Sequence, residues 1–279
     1  MVKTNTSISQ LTPEDTEIQR QKNRIAESLQ YARIIQKAVL PTQEQIEKVF
    51  PNHFVLLLPK DILSGDFYWI QKKGNQICFA VADCTGHGVP GAMMSVMGIS
   101  FLNELVARSC DFKANRLLNQ LREKVMKSLG QTGAGDISED GMDIALCIID
   151  QDTETLQYSG AYNPLYLIRN GELKIYSPDH MPVGVHIMEE KSFANHEIKL
   201  EEGDLIYLFS DGYPDQLGGS KNKKFMYNNF RNLLLNISNL PMDNQQELLK
   251  STLYEWMGTN KQIDDILVMG VKYSRTNNA

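Results

Sequence analysis

The amino-acid sequence predicts an α+β fold, and the grouping of its apolar patterns indicates this. Apolar segments of strand length come in quick succession between residues 53 and 83, and strand-like segments resume from residue 142. Between and after these strands, apolar residues recur with helical spacing. The predicted helices lie at 91–107, 113–129, 224–237 and 243–257. Strands and helices grouped in runs of this kind favour an α+β architecture.

The first predicted element is a long helix. Thr12-Pro13-Glu14-Asp15 supplies a cap residue, a proline in the first turn and acids that face the positive end of the helix dipole. The pattern runs to about Val39, before Pro41. A thin heptad stripe on this helix is interrupted by Lys22 and Gln36. We interpret the helix either as packed on its own domain or as a dimerising, signal-transmitting leader.

The strands that follow are bounded by clear turn signals. Gly74-Asn75 separates the second strand from the third, and Asn170-Gly171 joins two later strands, as expected for tight hairpins. Residues 130–141 are polar and glycine-rich, which predicts a flexible acidic loop. The predicted strands are HFVLLLPK, GDFYWIQKK, QICFAVAD, MDIALCIID, TLQYSG, the hairpin PLYLIRNGELKIYS, EIKL, DLIYLFSD and DILVMGVKY.

Composition is that of an ordinary globular protein, and it argues against several classes. Of 279 residues, 42% are apolar and 22% are charged. The formal net charge of −6 argues against a dedicated nucleic-acid binder, which usually has a basic surface. The N-terminus lacks an apolar signal core, and no apolar run approaches the ~18 residues that cross a bilayer. We therefore expect no nucleic-acid partner and no direct membrane insertion.

The cysteines point to a reducing compartment. None of the four forms a CxxC pair, and two lie in predicted strands, so the pattern predicts neither a disulfide framework nor a zinc site. We expect reduced thiols and a cytoplasmic protein. The four are Cys78, Cys84, Cys110 and Cys147.

The stretch ADCTGHGVPGAMMS (82–95) contains a literal G-x-G-x-x-G, from Gly86 to Gly91. A dinucleotide site requires strand, glycine turn, helix and then a further strand that ends in an acid. Here a second helical pattern follows the first, and no further strand appears until residue 142. Asp83 also ends the strand where a pyrophosphate would lie, and its charge would repel that group. The context disfavours a dinucleotide-binding site.

Aspartates at strand ends offer another explanation of this stretch. Asp83 and Asp211 end strands, Asp66 opens one, and Asp264-Asp265 opens the last. A buried carboxylate is costly unless it is paired or bound to metal, and few basic residues lie in these strand ends. Hard divalent cations prefer oxygen ligands, so Mg²⁺ or Mn²⁺ suits the set. Alternation places Asp83 on the face of Ile77, Phe79 and Val81, and Asp211 on the face of Leu205, Tyr207 and Phe209.

Four motifs carry a family resemblance: SGD (64–66), ADCTGHGVPGAMMS (82–95), SDG (210–212) and DDI (264–266). In order and spacing they resemble the metal-dependent protein phosphatases, in particular the bacterial SpoIIE-type serine/threonine branch. YARIIQKAVLP (31–41) resembles the helical segment that precedes the domain in that branch. The resemblance covers roughly residues 30–273. It implies a four-layer α-β-β-α sandwich with two central antiparallel sheets and two metal ions at one end between them.

The resemblance also implies a role for each matching residue. Asp66, Asp83, Asp211 and Asp264 are the expected ligands of two Mn²⁺ or Mg²⁺ ions, with Asp83 bridging. The Cys84 carbonyl takes a backbone-ligand position, and Asp265 is the alternative to Asp264. Related phosphatases place an accessory third metal near Asp143, which is a further candidate ligand. The sequence departs from the branch after SDG, where it reads YPDQLGG, and at Met226, where glycine is frequent.

Two further residues are candidates on their chemistry. His87 is suited to protonate the leaving serine oxygen, or it is a turn histidine bonded to backbone. Lys60, just before Asp66, is suited to contact phosphate, or it is a solvated strand-end lysine. The chain lacks a convincing Cys/His or Ser/His pair for covalent catalysis, which agrees with a mechanism that uses metal-activated water.

The sequence therefore predicts a Mn²⁺/Mg²⁺-dependent phosphoserine/phosphothreonine protein phosphatase in bacterial signalling. The alternative is a scaffold that uses the same fold for binding only. The expected substrate is a phosphoprotein of the STAS-type anti-anti-sigma class, and a homodimer is expected through the N-terminal helix. The expected organisation is a leader at 1–40, the phosphatase domain at 41–273 and a tail at 274–279.

Overall fold

The computed structural model describes residues 12–108, 113–131, 140–186 and 191–275. Within them, two five-stranded antiparallel sheets pack face to face, and a pair of helices covers the outer face of each. The predicted four-layer α-β-β-α sandwich is thus confirmed. Most of the predicted acidic loop, residues 132–139, lies outside the described residues, as do Cys110 and the last four residues of the tail.

The first sheet has the strand order β1-β12-β9-β6-β7, and the second has β2-β3-β4-β5-β8. The strands of the first sheet are β1 (His53–Leu58), β6 (Leu165–Arg169), β7 (Glu172–Tyr176), β9 (Leu205–Phe209) and β12 (Ile266–Lys272). Those of the second are β2 (Phe67–Lys73), β3 (Gln76–Cys84), β4 (Met142–Asp150), β5 (Thr155–Ala161) and β8 (His196–Lys199). A small hairpin is formed by β10 (Leu217–Gly218) and β11 (Lys223–Lys224).

The helices fill the outer layers, with a long helix at the N-terminal end. Two helices pack on the second sheet and two on the first. The helices are α1 (Pro13–Val39), α2 (Gln43–Glu47), α3 (Gly88–Arg108), α4 (Ala114–Leu129), α5 (Gly212–Asp215), α6 (Tyr227–Ile237) and α7 (Met242–Met257). Here α3 and α4 cover the second sheet, and α6 and α7 cover the first.

The apolar core has three layers that follow from strand alternation. Ile77, Phe79 and Val81 of β3 lie in the middle layer, between the two sheets, as the sequence predicts for the row that ends at Asp83. Their neighbours on the other face of β3 pack against α3 and α4. Both predicted hairpin turns are also present, with Gly74, Asn170 and Gly171 at positive φ.

The predicted row of Leu205, Tyr207 and Phe209 is buried in the core, in the layer between the first sheet and helices α6 and α7. Asp211, however, does not continue this row. Strand β9 ends at Phe209, and Asp211 caps α5 in an αR conformation. Alternation therefore stops before Asp211, and the turn of the chain sets where its carboxylate lies.

Smaller differences concern element ends. Helix α3 begins at Gly88, three residues earlier than predicted, and α6 begins at Tyr227 rather than 224. The short helices α2 and α5 and the β10–β11 hairpin were not predicted. Each is four or five residues long or has two-residue strands, so it carries too few residues for a periodic signal.

Helix α3 corrects one composition-based expectation. It is 21 residues long, with an 18-residue window apolar enough to cross a membrane, whereas the sequence was predicted to hold no such segment. Half of that window is buried inside the fold, where α3 packs on β2, β3 and α4. This is the environment of a core helix in a globular domain.

The N-terminal helix α1 starts where the sequence predicts. Thr12 and Asp15 form a reciprocal capping box, and Pro13 is in the first turn. Ile18 and Ile25 of its stripe are 45% and 62% exposed. The end of the helix differs, because Gln36 is buried against the helix's own domain. Gln36 therefore does not interrupt a free stripe, as the sequence suggested, but contributes to packing within the chain.

Candidate metal centre

Five aspartates from the two sheets meet at one end of the sandwich. From the second sheet, Asp66 precedes β2, and Asp83 of β3 pairs in register with Asp143 of β4. From the first sheet, Asp211 follows β9 and Asp264 precedes β12, and these two strands are hydrogen-bonded neighbours. We call these five residues the acidic cluster.

The acidic cluster becomes more exposed from its base to its rim. Asp66 is buried, with 2% of its surface exposed. Asp83, Asp143 and Asp211 are half-buried, and Asp264 is exposed. The cluster is therefore a pit that opens to solvent, with its deepest carboxylate on the SGD loop.

Burial and mutual repulsion raise the pKa values within the cluster. Burial is the main cause of the raised pKa of Asp66, opposed by a hydrogen bond from Ser210, and of the raised pKa of Asp83, where Asp66 and Asp211 add repulsion. Burial and then Asp211 raise the pKa of Asp143 to about 7. Burial, Asp215 and Asp264 raise the pKa of Asp211. These carboxyls are thus poised to exchange protons for a cation.

Asp83 is the shared member of the cluster. Its carboxyl lies close enough to those of Asp66 and Asp211 for the charge of each to raise its pKa. Asp83 is therefore beside acidic groups from both sheets.

Asp264 and Asp265 have different surroundings. The buried Asp265 carboxylate accepts backbone N–H bonds from Lys60 and Gly65, both at 2.7 Å. Asp264 is exposed, and its Oδ1 accepts the N–H of Asp265 at 2.8 Å. Asp265 thus connects the start of β12 to the SGD loop, while Asp264 lies at the exposed rim, where its charge raises the pKa values of Asp83 and Asp211.

Glycines allow the motif backbones to approach each other. A Cβ on Gly65 would lie 2.8 Å from the Gly86 carbonyl and 3.1 Å from the Cys84 carbonyl. Gly91 and Gly212 also have no room for a Cβ, because the carbonyls of Gly86 and Asp265 lie against them. Of the G-x-G-x-x-G glycines, Gly91 thus serves close packing, whereas Gly86 and Gly88 have room for a Cβ but adopt positive φ.

The Cys84 thiol is not available to the cluster. Its side chain is buried in the apolar layer between the second sheet and α3, where burial raises its thiol pKa. Alternation along β3 places it on the face opposite Asp83. Of the polar groups of Cys84, only the backbone carbonyl is near the SGD loop, beside Gly65.

Two polar residues that the sequence did not single out hold the SGD loop. Ser210 donates to Asp66 Oδ2 at 2.6 Å and accepts the Leu267 N–H at 3.0 Å. Gln36 of α1 donates to the Ser64 carbonyl at 2.6 Å and accepts the Ser64 N–H at 3.2 Å. The position of Ser210 directly before Asp211 was an available signal, and so was the polar Gln36 within the apolar stripe of α1.

His87 and Lys60 lie near the motifs without a bond to the five carboxylates. His87 Nδ1 lies 2.9 Å from Asp61 Oδ2, and both side chains are about half exposed. The histidine thus pairs with a carboxylate rather than with backbone. Lys60 is half-buried and contacts Asp265 through its backbone N–H.

The donor set fits a hard divalent cation. Its members are carboxylates, with a backbone carbonyl nearby, and no lysine or arginine in the described residues forms an ion pair with any of the five. Across these described residues, no three His, Cys, Asp or Glu side chains are already gathered as a ligand set. The carboxylates instead repel one another, and this repulsion adds to burial in raising their pKa values.

Comparison with known proteins identifies the family. Residues 73–274 match the sequence profile of the Stage II sporulation protein E (SpoIIE) family. The chain belongs to the SpoIIE family. Among curated SpoIIE-type relatives, the phosphoserine phosphatase RsbU of Bacillus subtilis (strain 168) is 22% identical over 198 residues. The match spans 68% of this chain and 54% of RsbU, so the chain covers about half the length of that relative.

Solved structures show the same SpoIIE-type fold. The PP2C domain of SiaA from Pseudomonas aeruginosa superposes with a TM-score of 0.82 at 28% identity, over 91% of this chain and 98% of that domain. The PP2C phosphatase domain of SpoIIE from Bacillus subtilis, with a fragment of its regulatory domain, gives 0.65 at 18% identity, over 80% and 63%. The family that the motifs suggested is thereby confirmed.

Proposed function

We propose that this SpoIIE-family chain is a metal-dependent phosphatase that hydrolyses phosphoserine or phosphothreonine in a protein substrate. The observation that carries the proposal is the acidic cluster, in which carboxylates from both sheets converge and none forms an ion pair with a lysine or arginine of the described residues. The family membership and the relative RsbU, a phosphoserine phosphatase, support the same reaction.

In this proposal, Asp66, Asp83, Asp211 and Asp264 hold two Mn²⁺ or Mg²⁺ ions. Bound ions of this kind lower the pKa of water, orient it toward phosphorus and neutralise the phosphoryl oxygens. Asp83 would be the central ligand of this set, because its carboxyl lies near Asp66 of the second sheet and Asp211 of the first. The Cys84 carbonyl is a further ligand, and Asp143 serves a third ion.

The surrounding residues fix these ligands. Ser210 orients Asp66 through its hydroxyl hydrogen bond. Asp265 positions the SGD loop through two backbone N–H groups, so we assign the ligand role to Asp264 rather than Asp265. His87 is proposed to deliver a proton to the leaving seryl oxygen, with Asp61 orienting its ring. Lys60 is proposed as a phosphate contact.

The biological setting is also a proposal. The family resemblance and the relative RsbU favour a STAS-type anti-anti-sigma phosphoprotein as the substrate. The cytoplasm is the proposed compartment, and the free, buried thiols of Cys78, Cys84 and Cys147 are compatible with it. The exposed isoleucines of α1 favour pairing with a second copy, since a narrow apolar stripe is buried on both sides only in a dimer.

Turnover of p-nitrophenyl phosphate tests the reaction. We expect hydrolysis with Mn²⁺ or Mg²⁺, no hydrolysis in EDTA, and release of phosphate from a phosphorylated STAS-domain protein. Full activity in EDTA would contradict the metal mechanism. Binding of the phosphoprotein without turnover at any metal concentration would support the scaffold alternative.

A further inference from the structure

A lysine at the rim of the acidic cluster has no role in the assignments above. Lys224 of β11 donates to Asp215 Oδ2 at 2.7 Å. Asp215 lies one turn after Asp211, because its N–H donates to the Asp211 carbonyl at 2.9 Å. Residues four apart on a helix lie on the same face. The ammonium group of Lys224 is therefore held on the side of α5 that carries Asp211.

The charges agree with this geometry. The pKa of Lys224 is raised by its hydrogen bond with Asp215 and also by the charge of Asp211. In return, Lys224 lowers the pKa of Asp211, although burial and other acids raise it overall. A positive charge thus lies close to one of the proposed ligands without pairing with it directly.

The backbone around Lys224 is firmly anchored. At the base of the hairpin, the Phe225 N–H donates to the Gln216 carbonyl at 2.9 Å. The Phe225 ring packs edge-on against Trp256 and Tyr213. The Lys224 side chain is 52% exposed and has a flexible four-carbon stem. It has room to change its partner while the hairpin stays in place.

The next residues also border the cluster. Met226 has φ +78° and ψ 144°, a conformation that a bulky residue keeps only where its surroundings impose it. It directs the chain from Lys224 to Tyr227. Burial, followed by the charges of Asp211 and Asp215, raises the pKa of Tyr227. A strained segment beside a candidate site is the kind of feature that function retains.

We propose that Lys224 is a substrate-binding residue that exchanges its bond to Asp215 for one to the phosphoryl oxygens of the bound phosphoserine. The inference rests on the proposed function, since it assigns a contact to the phosphate ester hydrolysed there. A phosphoryl dianion carries more charge than the carboxylate that it replaces and offers strong acceptor oxygens. Asp215 is then an internal competitor that holds the lysine in place between turnovers.

Four variants test this assignment, one of which, Lys224→Arg, keeps the positive charge. Lys224→Met removes the cation, and Asp215→Asn removes the competitor. Lys223→Met is the matched control, because Lys223 is on the same hairpin, is exposed, and points to the opposite face of the strand. The readouts are KM and kcat for p-nitrophenyl phosphate with Mn²⁺, and the inhibition constant of inorganic phosphate.

We expect Lys224→Met to raise KM and the phosphate inhibition constant about tenfold, as for a lost charged hydrogen bond, with a smaller change in kcat. Asp215→Asn should lower the phosphate inhibition constant, and Lys223→Met should leave it within about twofold. Lys224→Arg should restore most of the affinity. Thermal melts establish whether each variant is folded. If Lys224→Met is not folded, the phosphate affinity of Lys224→Arg tests the contact instead.

Phosphate binding to the Mg²⁺-loaded protein, followed by ³¹P NMR, separates this inference from the proposed function. If the wild type binds phosphate but shows no turnover, the proposed function fails, and the Lys224 contact is still tested by binding. Equal phosphate affinity in Lys224→Met and Lys223→Met overturns the contact. Loss of affinity only for peptides with acidic residues beside the phosphoserine also overturns it, because Lys224 would then bind those residues.

Discussion

Two buried aspartates in this molecule have different kinds of partners for their carboxylates. Asp204 is 1% exposed and Asp66 is 2% exposed. The Asp204 carboxylate accepts hydrogen bonds from Nε and Nη2 of Arg169, at 2.7 and 2.6 Å, and from the Glu201 N–H at 2.9 Å. The Asp66 carboxylate accepts a hydrogen bond from the uncharged Ser210 hydroxyl and lies beside Asp83, another acid.

The difference shows how the chain separates stability from function. A buried carboxylate must be neutralised by a proton, a protein cation or a bound ion. At Asp204 the cation is part of the chain, so the pair closes the β6–β9 edge permanently. At Asp66 and Asp83 no cation of the chain is paired with the carboxylates, and burial raises their pKa values. The acidic cluster is therefore the region where binding of an external cation contributes most to stability.

The largest expected effect is on turnover. Asp83→Asn should abolish hydrolysis of p-nitrophenyl phosphate, by more than about 100-fold, since residues that merely orient metal ligands are worth 10–100-fold. The fold should survive, because the variant removes one of several mutually repelling acids. Steady-state kinetics and circular-dichroism melts in EDTA measure the two effects. Wild-type rates in this variant would contradict the shared role of Asp83.

The converse variant tests the Asp204 side of the comparison. Arg169→Met leaves the Asp204 carboxylate buried without its cation, and we expect a loss of about 3–5 kcal/mol in the free energy of unfolding. The folded fraction should keep its metal dependence. Arg275→Met is the control, because Arg275 forms an exposed pair with Glu154, which is worth at most about 1 kcal/mol. Equal denaturation midpoints for the two variants would contradict the expectation.

The pH dependence of the metal-free protein is a third test. The Asp143 carboxyl titrates near 7 in the folded chain, against an ordinary value of 3.8. The folded state therefore holds its proton more tightly than the unfolded state does. The contribution of this proton to the free energy of unfolding is fully present below about pH 4 and is lost as the pH rises toward 7.

Urea denaturation in EDTA from pH 4 to 8 measures this slope. Asp143→Asn should flatten it, and saturating Mg²⁺ should reduce it, because the ion favours the charged carboxylates. Asp143→Ala should also lower kcat more than it weakens tight Mn²⁺ binding if it serves a third ion. A slope that is identical in the wild type and in Asp143→Asn would show that Asp143 titrates normally.

The smallest effect is expected at the leader. Gln36→Leu removes the hydrogen bonds from α1 to Ser64 on the SGD loop and to Ser95 of α3. We expect a loss of about 1–3 kcal/mol in stability from the unpaired polar groups, together with altered basal turnover. Gln30→Leu makes the same chemical change at an exposed position of α1 and should change neither the stability nor the basal turnover.

Deletion of residues 1–31 keeps Gln36 and removes Ile18 and Ile25, the exposed isoleucines of the stripe. We expect weaker self-association in sedimentation, with the domain still folded. An unchanged association state would contradict a role of the stripe in dimerisation.

The sequence by itself determined the features that depend on near neighbours. The capping box at Thr12, the hairpin turns at Gly74-Asn75 and Asn170-Gly171, and the core-facing row of Asp83 were all predicted. Turn and cap geometry is set by a few consecutive residues, and strand alternation is fixed by the pleat. The same local order made the four acidic motifs recognisable as one family.

Only the tertiary structure decided which groups meet around the cluster. Asp211 departs from the strand pattern because the chain turns into α5. Asp264 and Asp265, adjacent in sequence, differ because Asp265 accepts the N–H groups of Lys60 and Gly65, 205 and 200 residues away. Gln36 and Lys224 acquire their roles through neighbours that no local pattern specifies. Such contacts depend on how the layers pack, so the sequence near each residue does not reveal them.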